Sequence, residues 1–229
     1  MPTIIPMNIL NNLLRALLFL TITAHLSFAQ ASDMDRFVSL AGKITIKRDS
    51  DAWLKISVPF EVVSHPDLAA LEGRKPSSRE ELFNPKFIDD LEIKLYLCFR
   101  NDFARKFTRS EKTDPANFQY YASALKCMIL EQGNNYSAHF LFPAAIAERD
   151  EFGGSYPEIL GYAVEFSRKG IALGVSDAIK FDSYRQEEVL EKFKSEAVSK
   201  SSQNEGILIP GHKIDQSYLR DLGPVYLDY

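Results

Sequence analysis

The stretch GNNYSAHFLFPAAIAERDEFGG, residues 133–154, brings a histidine, an arginine, three acids and several aromatics close together. An imidazole beside carboxylates is the material of general acid–base catalysis. Nucleophilic catalysis would add a Ser, Cys or Thr held against an oriented base. No Gly-x-Ser-x-Gly elbow occurs, and beyond the N-terminal segment the histidines are His65, His139 and His212. Cys98 and Cys127 sit mid-strand in apolar company, where structural thiols are usual. Zinc needs several ligands at clustered spacing, which three widely separated histidines do not supply. Asp33-Met34-Asp35 and Arg48-Asp49-Ser50-Asp51 lack the glycine and glutamate of a calcium loop. Asp89-Asp90 are strand neighbours that point to opposite faces, which suits a turn better than a catalytic pair. Phe152-Gly153-Gly154-Ser155 runs on to Pro157 and not into a phosphate-cradling helix. The chain is therefore expected to hold no catalytic residue, no cofactor and no metal.

The same stretch is explained by the elements that carry it. Tyr136, Ala138, Phe140 and Phe142 alternate with Ser137, His139 and Leu141, so a strand places His139 on its less apolar face. Pro143 followed by alanines is a favourable helix start, and Arg149 near the end of that helix suits its C-terminal dipole. Upstream, Trp53–Val62 alternates with Leu54, Ile56, Val58, Phe60 and Val62 on one face. With Lys43–Lys47 it reads as a hairpin, and Pro59 removes a ladder donor, which suits an edge or bulge. Leu91–Phe99 repeats the pattern. Further strands are expected within 119–130, within 158–166, and after a turn at Arg168-Lys169-Gly170. Residues 64–90 read as a long loop with a helical turn near Ser78–Leu82, and loops of that length are often binding or docking elements. Helical spacing of Val189, Leu190, Phe193 and Ala197 follows an N-cap at Ser183. Short alternating strands between turn signals give a mainly β fold, a β-sandwich with short helical insertions and one C-terminal helix.

The ends and composition set the rest. Arg15, the apolar run Ala16–Ala24 and a small-residue exit at Ser27–Ser32 make residues 1–31 a signal peptide, cleaved after Ala29 or Ala31. Asn8, Asn11, Asn12 and Arg15 interrupt the roughly 20 apolar residues that a membrane span needs, so no integral membrane segment is expected after signal removal. Residues 32–183 form the sandwich, and residues 184–229 add a charged helix and an aromatic tail that pack on the same domain. A net charge of -4 gives no footprint for nucleic acid. An oxidising compartment permits a bridge between Cys98 and Cys127, but disulfide geometry is demanding, and two reduced, packed thiols are the alternative.

Several phrases together carry a resemblance: the Trp53-x-Lys55 strand, Phe87–Lys94, Tyr136–Pro143 leading to Glu148-Arg149, and the closing Pro224–Tyr229. The chain resembles small secreted bacterial proteins of immunoglobulin-like fold that are encoded beside type IV pilus-like assembly genes. It departs from that pattern at Leu227, where an aromatic is usual, and in the length of its charged helix. The resemblance implies an immunoglobulin-like sandwich in the periplasm or at the exterior of a Gram-negative bacterium. It further implies a non-enzymatic structural or assembly protein whose partners are other envelope proteins or further copies of itself. Trp53 and Pro59 on their strand, with Tyr218, Tyr226 and Tyr229 in the tail, are the expected partner contacts, by strand addition or groove docking. The alternative is a carbohydrate or small-ligand platform of Trp53, Tyr96 and Tyr120 or Tyr121.

Overall fold

The alternation along Trp53–Val62 becomes a strand whose Leu54, Ile56, Val58, Phe60 and Val62 are buried and whose intervening residues are half-exposed. The computed structural model describes residues 37–70, 83–152, 157–179 and 186–222. The expected signal peptide, the helical turn at 78–82, the N-cap at Ser183, and Tyr226 and Tyr229 lie outside the described residues.

Two antiparallel sheets are built from β1 (Val38–Leu40), β2 (Thr45–Arg48), β3 (Trp53–Val62), β4 (Phe87–Arg100), β5 (Phe118–Glu131), β6 (Gly133–Pro143), β7 (Ile159–Arg168), β8 (Ile171–Ile179) and β9 (Ile209–Pro210). The first sheet runs β1-β3-β6-β9, with β2 also paired to β3, and the second runs β5-β4-β7-β8. Taken in chain order, β3 to β8 fill places B, C, C′, E, F and G of an immunoglobulin-type Greek key. The short β1 and β2 share place A, and β9 lies on β6 where strand D would be. Between the sheets the core is apolar and aromatic, with Phe60, Phe99, Phe140, Phe142 and Phe166 fully buried.

Helices decorate this frame. Among the described residues α1 (Asp67–Ala70) follows β3, α2 (Asp102–Thr108) joins β4 to β5, and α3 (Ala144–Arg149) follows β6. The long α4 (Gln186–Ser201) lies on the outer face of the second sheet. There Phe193 and Ala197 close over Tyr96, Cys98, Tyr120, Leu160 and Ala163. No helix among the described residues is long and apolar enough to cross a membrane.

Three sequence expectations are corrected. Pro59 does not mark an edge, because β3 is flanked by β6 on one side and by β1 and β2 on the other, although the β3–β6 register does shift close by, between Phe60 and Val62. The proline is tolerated because β2 pairs only as far as Ser57 and β1 begins at Phe60, so its missing N–H falls in the gap between them. Strand β4 starts at Phe87, four positions before Leu91. Asp90 takes a left-handed backbone, φ 57°, which breaks the alternation while the ladder to β5 runs on from Ile88 to Leu91.

Cys98 and Cys127 are free and buried. They belong to neighbouring strands of one sheet, with Leu91 opposite Cys127 and Cys98 opposite Tyr120. Seven ladder positions place them about 23 Å apart, far beyond the reach of a bridge. They also face different ways, Cys127 into the core and Cys98 toward α4.

Candidate functional site

One histidine does acquire a hydroxyl and a carboxylate. The register of β3 on β6 sets Ser57 opposite His139 on the outer face of the first sheet, and Ser57 Oγ lies 3.0 Å from His139 Nδ1. Asp221 Oδ2 lies 3.3 Å from Nε2 on the other side of the ring. Asp221 arrives on a C-terminal strap that starts at β9, which pairs with Phe140 and Leu141. Two 3-10 turns, Gly211–Lys213 and Gln216–Leu219, carry the strap across the sheet. It is pinned by Ser137 N–H donating to Asp221 O at 2.9 Å. Tyr218 meets the His139 ring edge-on at 5.9 Å between centroids, and its hydroxyl donates to Asp49 Oδ2. Lys55 lies 5.9 Å from the centre of the Tyr218 ring and 3.6 Å from Asp49 Oδ1.

Asp221, when ionised, only accepts, so the neutral ring carries its proton on Nε2 and Nδ1 accepts from Ser57. Burial holds the His139 pKa below 6.5, opposed by the hydrogen bond to Asp221. A serine, a histidine and an aspartate in line are the parts of a nucleophilic triad. Here, though, Ser57 stands in the interior of a sheet, paired with Thr45 on one side and His139 on the other. Its backbone is committed to ladders and offers no turn on which free amides could stabilise an oxyanion. What the trio does in the structure is fasten the strap to the sheet.

Acid therefore works against the fold through its buried histidines. The pKa values of His139 and of His65 are both lowered from 6.5, mainly by burial. Between 6.5 and the lowered values the unfolded chain binds more protons than the native one, so stability falls as pH drops through that window. Denaturant melts at pH 7.5, 6 and 5 are expected to show this decline, and His139→Gln is expected to flatten it. Carboxylates such as Asp102, lowered from 3.8 by its hydrogen bond to Arg100, enter only at more acid pH. A stability that is level from pH 7.5 to 5 would contradict the native proton count.

The other expected sites do not assemble. Burial pushes the thiols of Cys98 and Cys127 up to about 12, which keeps them protonated and poor nucleophiles at neutral pH. The aromatic platform is dispersed. Trp53 is on the outer face of the first sheet, Tyr96 and Tyr120 are on the outer face of the second beneath α4, and Tyr121 is in the core. Tyr218, expected at a partner contact, is half-exposed and touches His139 and Asp49 of its own chain. Among the described residues no cluster of His, Cys, Asp and Glu is placed to hold a metal ion.

Five exposed apolar side chains lie at one end of the sandwich. Val63, Leu68, Met128, Ile129 and Ile171 all project there, with Ile171 68% exposed. Two hydrogen-bonded links tie the chain segments together at this end. Gln132 Nε2 donates to Val63 O, Gln132 N–H donates to Lys86 O, and Arg168 joins Asp89 O to the Asp67 carboxylate. Beside it β5 is open, since among the described residues β5 and β8 each pair on one side only. Ala124, Lys126 and Met128 are exposed along β5. Sequence reasoning missed this end because its residues come from four separate segments of the chain.

No family model matches the chain, and no curated protein sequence does. Among solved structures, a crystal structure from Akkermansia muciniphila superposes with a TM-score of 0.55 at 14% identity, over 84% of this chain and 94% of that one. At that identity the likeness is one of fold. The class so defined is a mainly β, two-sheet sandwich with a C-terminal helix.

Proposed function

We propose that this chain is an exported, non-enzymatic structural or assembly module. It acts through protein–protein contact within a type IV pilus-like or secretion-like assembly, in the periplasm or at the cell exterior. The observation that carries this reading is the apolar end formed by Val63, Leu68, Met128, Ile129 and Ile171. Exposed apolar side chains gathered at one end of a fold suit an interaction site, and the open edge of β5 adds main-chain donors and acceptors for strand addition. The resemblance to secreted proteins of pilus-like gene clusters supports the kind of partner, an envelope protein or another copy of this chain.

A photo-crosslinking residue at position 129, introduced in the producing bacterium, is expected to give one defined adduct. Met128→Ser with Ile171→Ser is expected to reduce that adduct about tenfold, the loss of a single hot-spot contact. Both positions are exposed, so folding should change by no more than about 0.5 kcal/mol. Adducts arising only from position 107, on α2 at the opposite end, would refute the assignment, as would none at all.

A further inference from the structure

We propose that His65 is an acid-sensitive clasp that holds the stem at Asp67, after β3, against the stem at Phe83, before β4, at neutral pH and lets them part in mildly acidic surroundings. The device sits beside the apolar end, and only its consequence for partners rests on the contact reading above.

His65 follows β3 and is almost completely buried, 2% exposed. One ring touches both stems. Its Nδ1 accepts from Asp67 N–H at 3.1 Å on the outgoing stem. Its face stacks on Phe83 of the returning stem, with centroids 4.2 Å apart and planes 15° from parallel. An accepting Nδ1 places the ring proton on Nε2, and that nitrogen is buried with no hydrogen-bond partner among the described residues. The closed clasp is thus built around a neutral ring, at the cost of one unsatisfied donor.

Charged groups face this ring from three elements among the described residues. They are Asp67 on α1, Asp89 on β4, and Arg168 with Lys169 at the end of β7. The Arg168 guanidinium donates to Asp67 Oδ2 at 2.8 Å and to Asp89 O at 3.1 Å. Protonation of His65 makes Nδ1 a donor, so the bond from Asp67 N–H is lost. It also sets a buried cation beside Arg168. The compensating anion is Asp67, whose Oδ2 is 3.9 Å from Nδ1, but Arg168 already holds that carboxylate. Its charge is shared with the guanidinium and offsets the new cation only in part, while the lost N–H bond loosens the stem.

Burial first, and Arg168 next, lower the ring's affinity for a proton while the clasp is closed. Opening relieves both, so the open form takes up a proton that the closed form refuses. By linkage, acidity then favours opening by up to about tenfold per pH unit below the ring's ordinary value, until the closed ring protonates too. Histidine is the side chain suited to such a switch near neutrality.

Amide exchange on the isolated wild-type chain tests this, with rates corrected for their intrinsic pH dependence. Asp67 and Leu68 are expected to lose protection about tenfold per unit below pH 6.5, while Ile93 and Val164 in the core stay protected. His65→Gln keeps an acceptor but cannot titrate, and is expected to show no such loss. Arg168→Gln removes the repelling guanidinium and is expected to move the midpoint upward; it serves even if His65→Gln fails to fold. Protection that is unchanged between pH 7 and 5 in the wild type overturns the clasp, as does an unmoved midpoint in Arg168→Gln. So does an equal loss in folded His65→Gln. Because exchange is read without a partner, a failed crosslink at position 129 leaves this result standing, and the reverse also holds.

Discussion

Replacing Phe142 by alanine is expected to remove about 3–5 kcal/mol of folding stability, the range for truncating a buried phenylalanine. Phe142 is fully buried. It comes from β6 in the first sheet and meets Phe99 of β4 at 5.5 Å, Tyr121 of β5 edge-on at 4.8 Å, and Phe152 beyond α3 at 6.1 Å. The ring therefore fills the space between the two sheets near the α3 end, and Phe99 and Phe152, stacked at 5.0 Å, cannot slide together to close the gap. A domain of this size has about 5–15 kcal/mol in hand, so a large part of the population would be unfolded well below the wild-type transition. The check is urea unfolding followed by circular dichroism, with a lower midpoint at an unchanged slope. Phe107→Ala is the control. That ring is 83% exposed and its loss should cost no more than about 0.5 kcal/mol. Equal effects of the two substitutions would mean that the sheets do not close on Phe142.

The alternation of β3 and β6 is legible because each strand buries one face against the core and keeps the other half-solvated. A period of two survives only under that condition. It fails where the surroundings change. Leu141 shares the outer phase with His139 yet is fully buried, because Ile209 of β9 pairs beside it. Asp90 reverses the faces of β4, so Ile129, which continues the phase of Cys127, turns outward and Leu130 turns inward. Helix α2 gives no apolar period because it buries no side chain. It is held instead by Asn101 capping Ala104 N–H at 2.7 Å, and by Asp102 paired with both Arg100 and Arg105.

The site was legible one phase at a time and not as an assembly. Alternation places Ser57 and His139 on the outer faces of their strands, but only the register makes them neighbours. Asp221 reaches them from a strap with no period at all, whose apolar content showed that it must pack and not where. The same limit governs the expected platform and bridge. Trp53 and Tyr96 do lie on the outward phases of their strands, but the two sheets turn those faces in opposite directions. Phase alone does not say which sheet a strand joins.

Gly211→Ala is expected to lift that strap, at a cost of about 1–3 kcal/mol, the usual penalty of overpacking. A Cβ at this position would stand 3.0 Å from Tyr218 Cγ and 3.1 Å from the backbone oxygen of His139. The carbonyl belongs to a sheet strand and cannot retreat, and Tyr218 is fixed by its bond to Asp49. The strap must therefore rise away from β6. With it would go the cover over Leu141, the edge contact of Tyr218, and the bond from His139 to Asp221. Two local readouts separate this from general weakening. The Ser137 amide, which donates to Asp221 O, should exchange faster while Ile93 stays protected. The His139 pKa, lowered by burial, should rise toward 6.5 as water reaches the ring. Gly133→Ala is the matched control, since nothing lies within 4 Å of its added carbon. If Gly211→Ala leaves both the Ser137 exchange rate and the His139 titration where they were, the strap does not rest on this glycine. The histidine would then have to owe its burial to some other part of the chain.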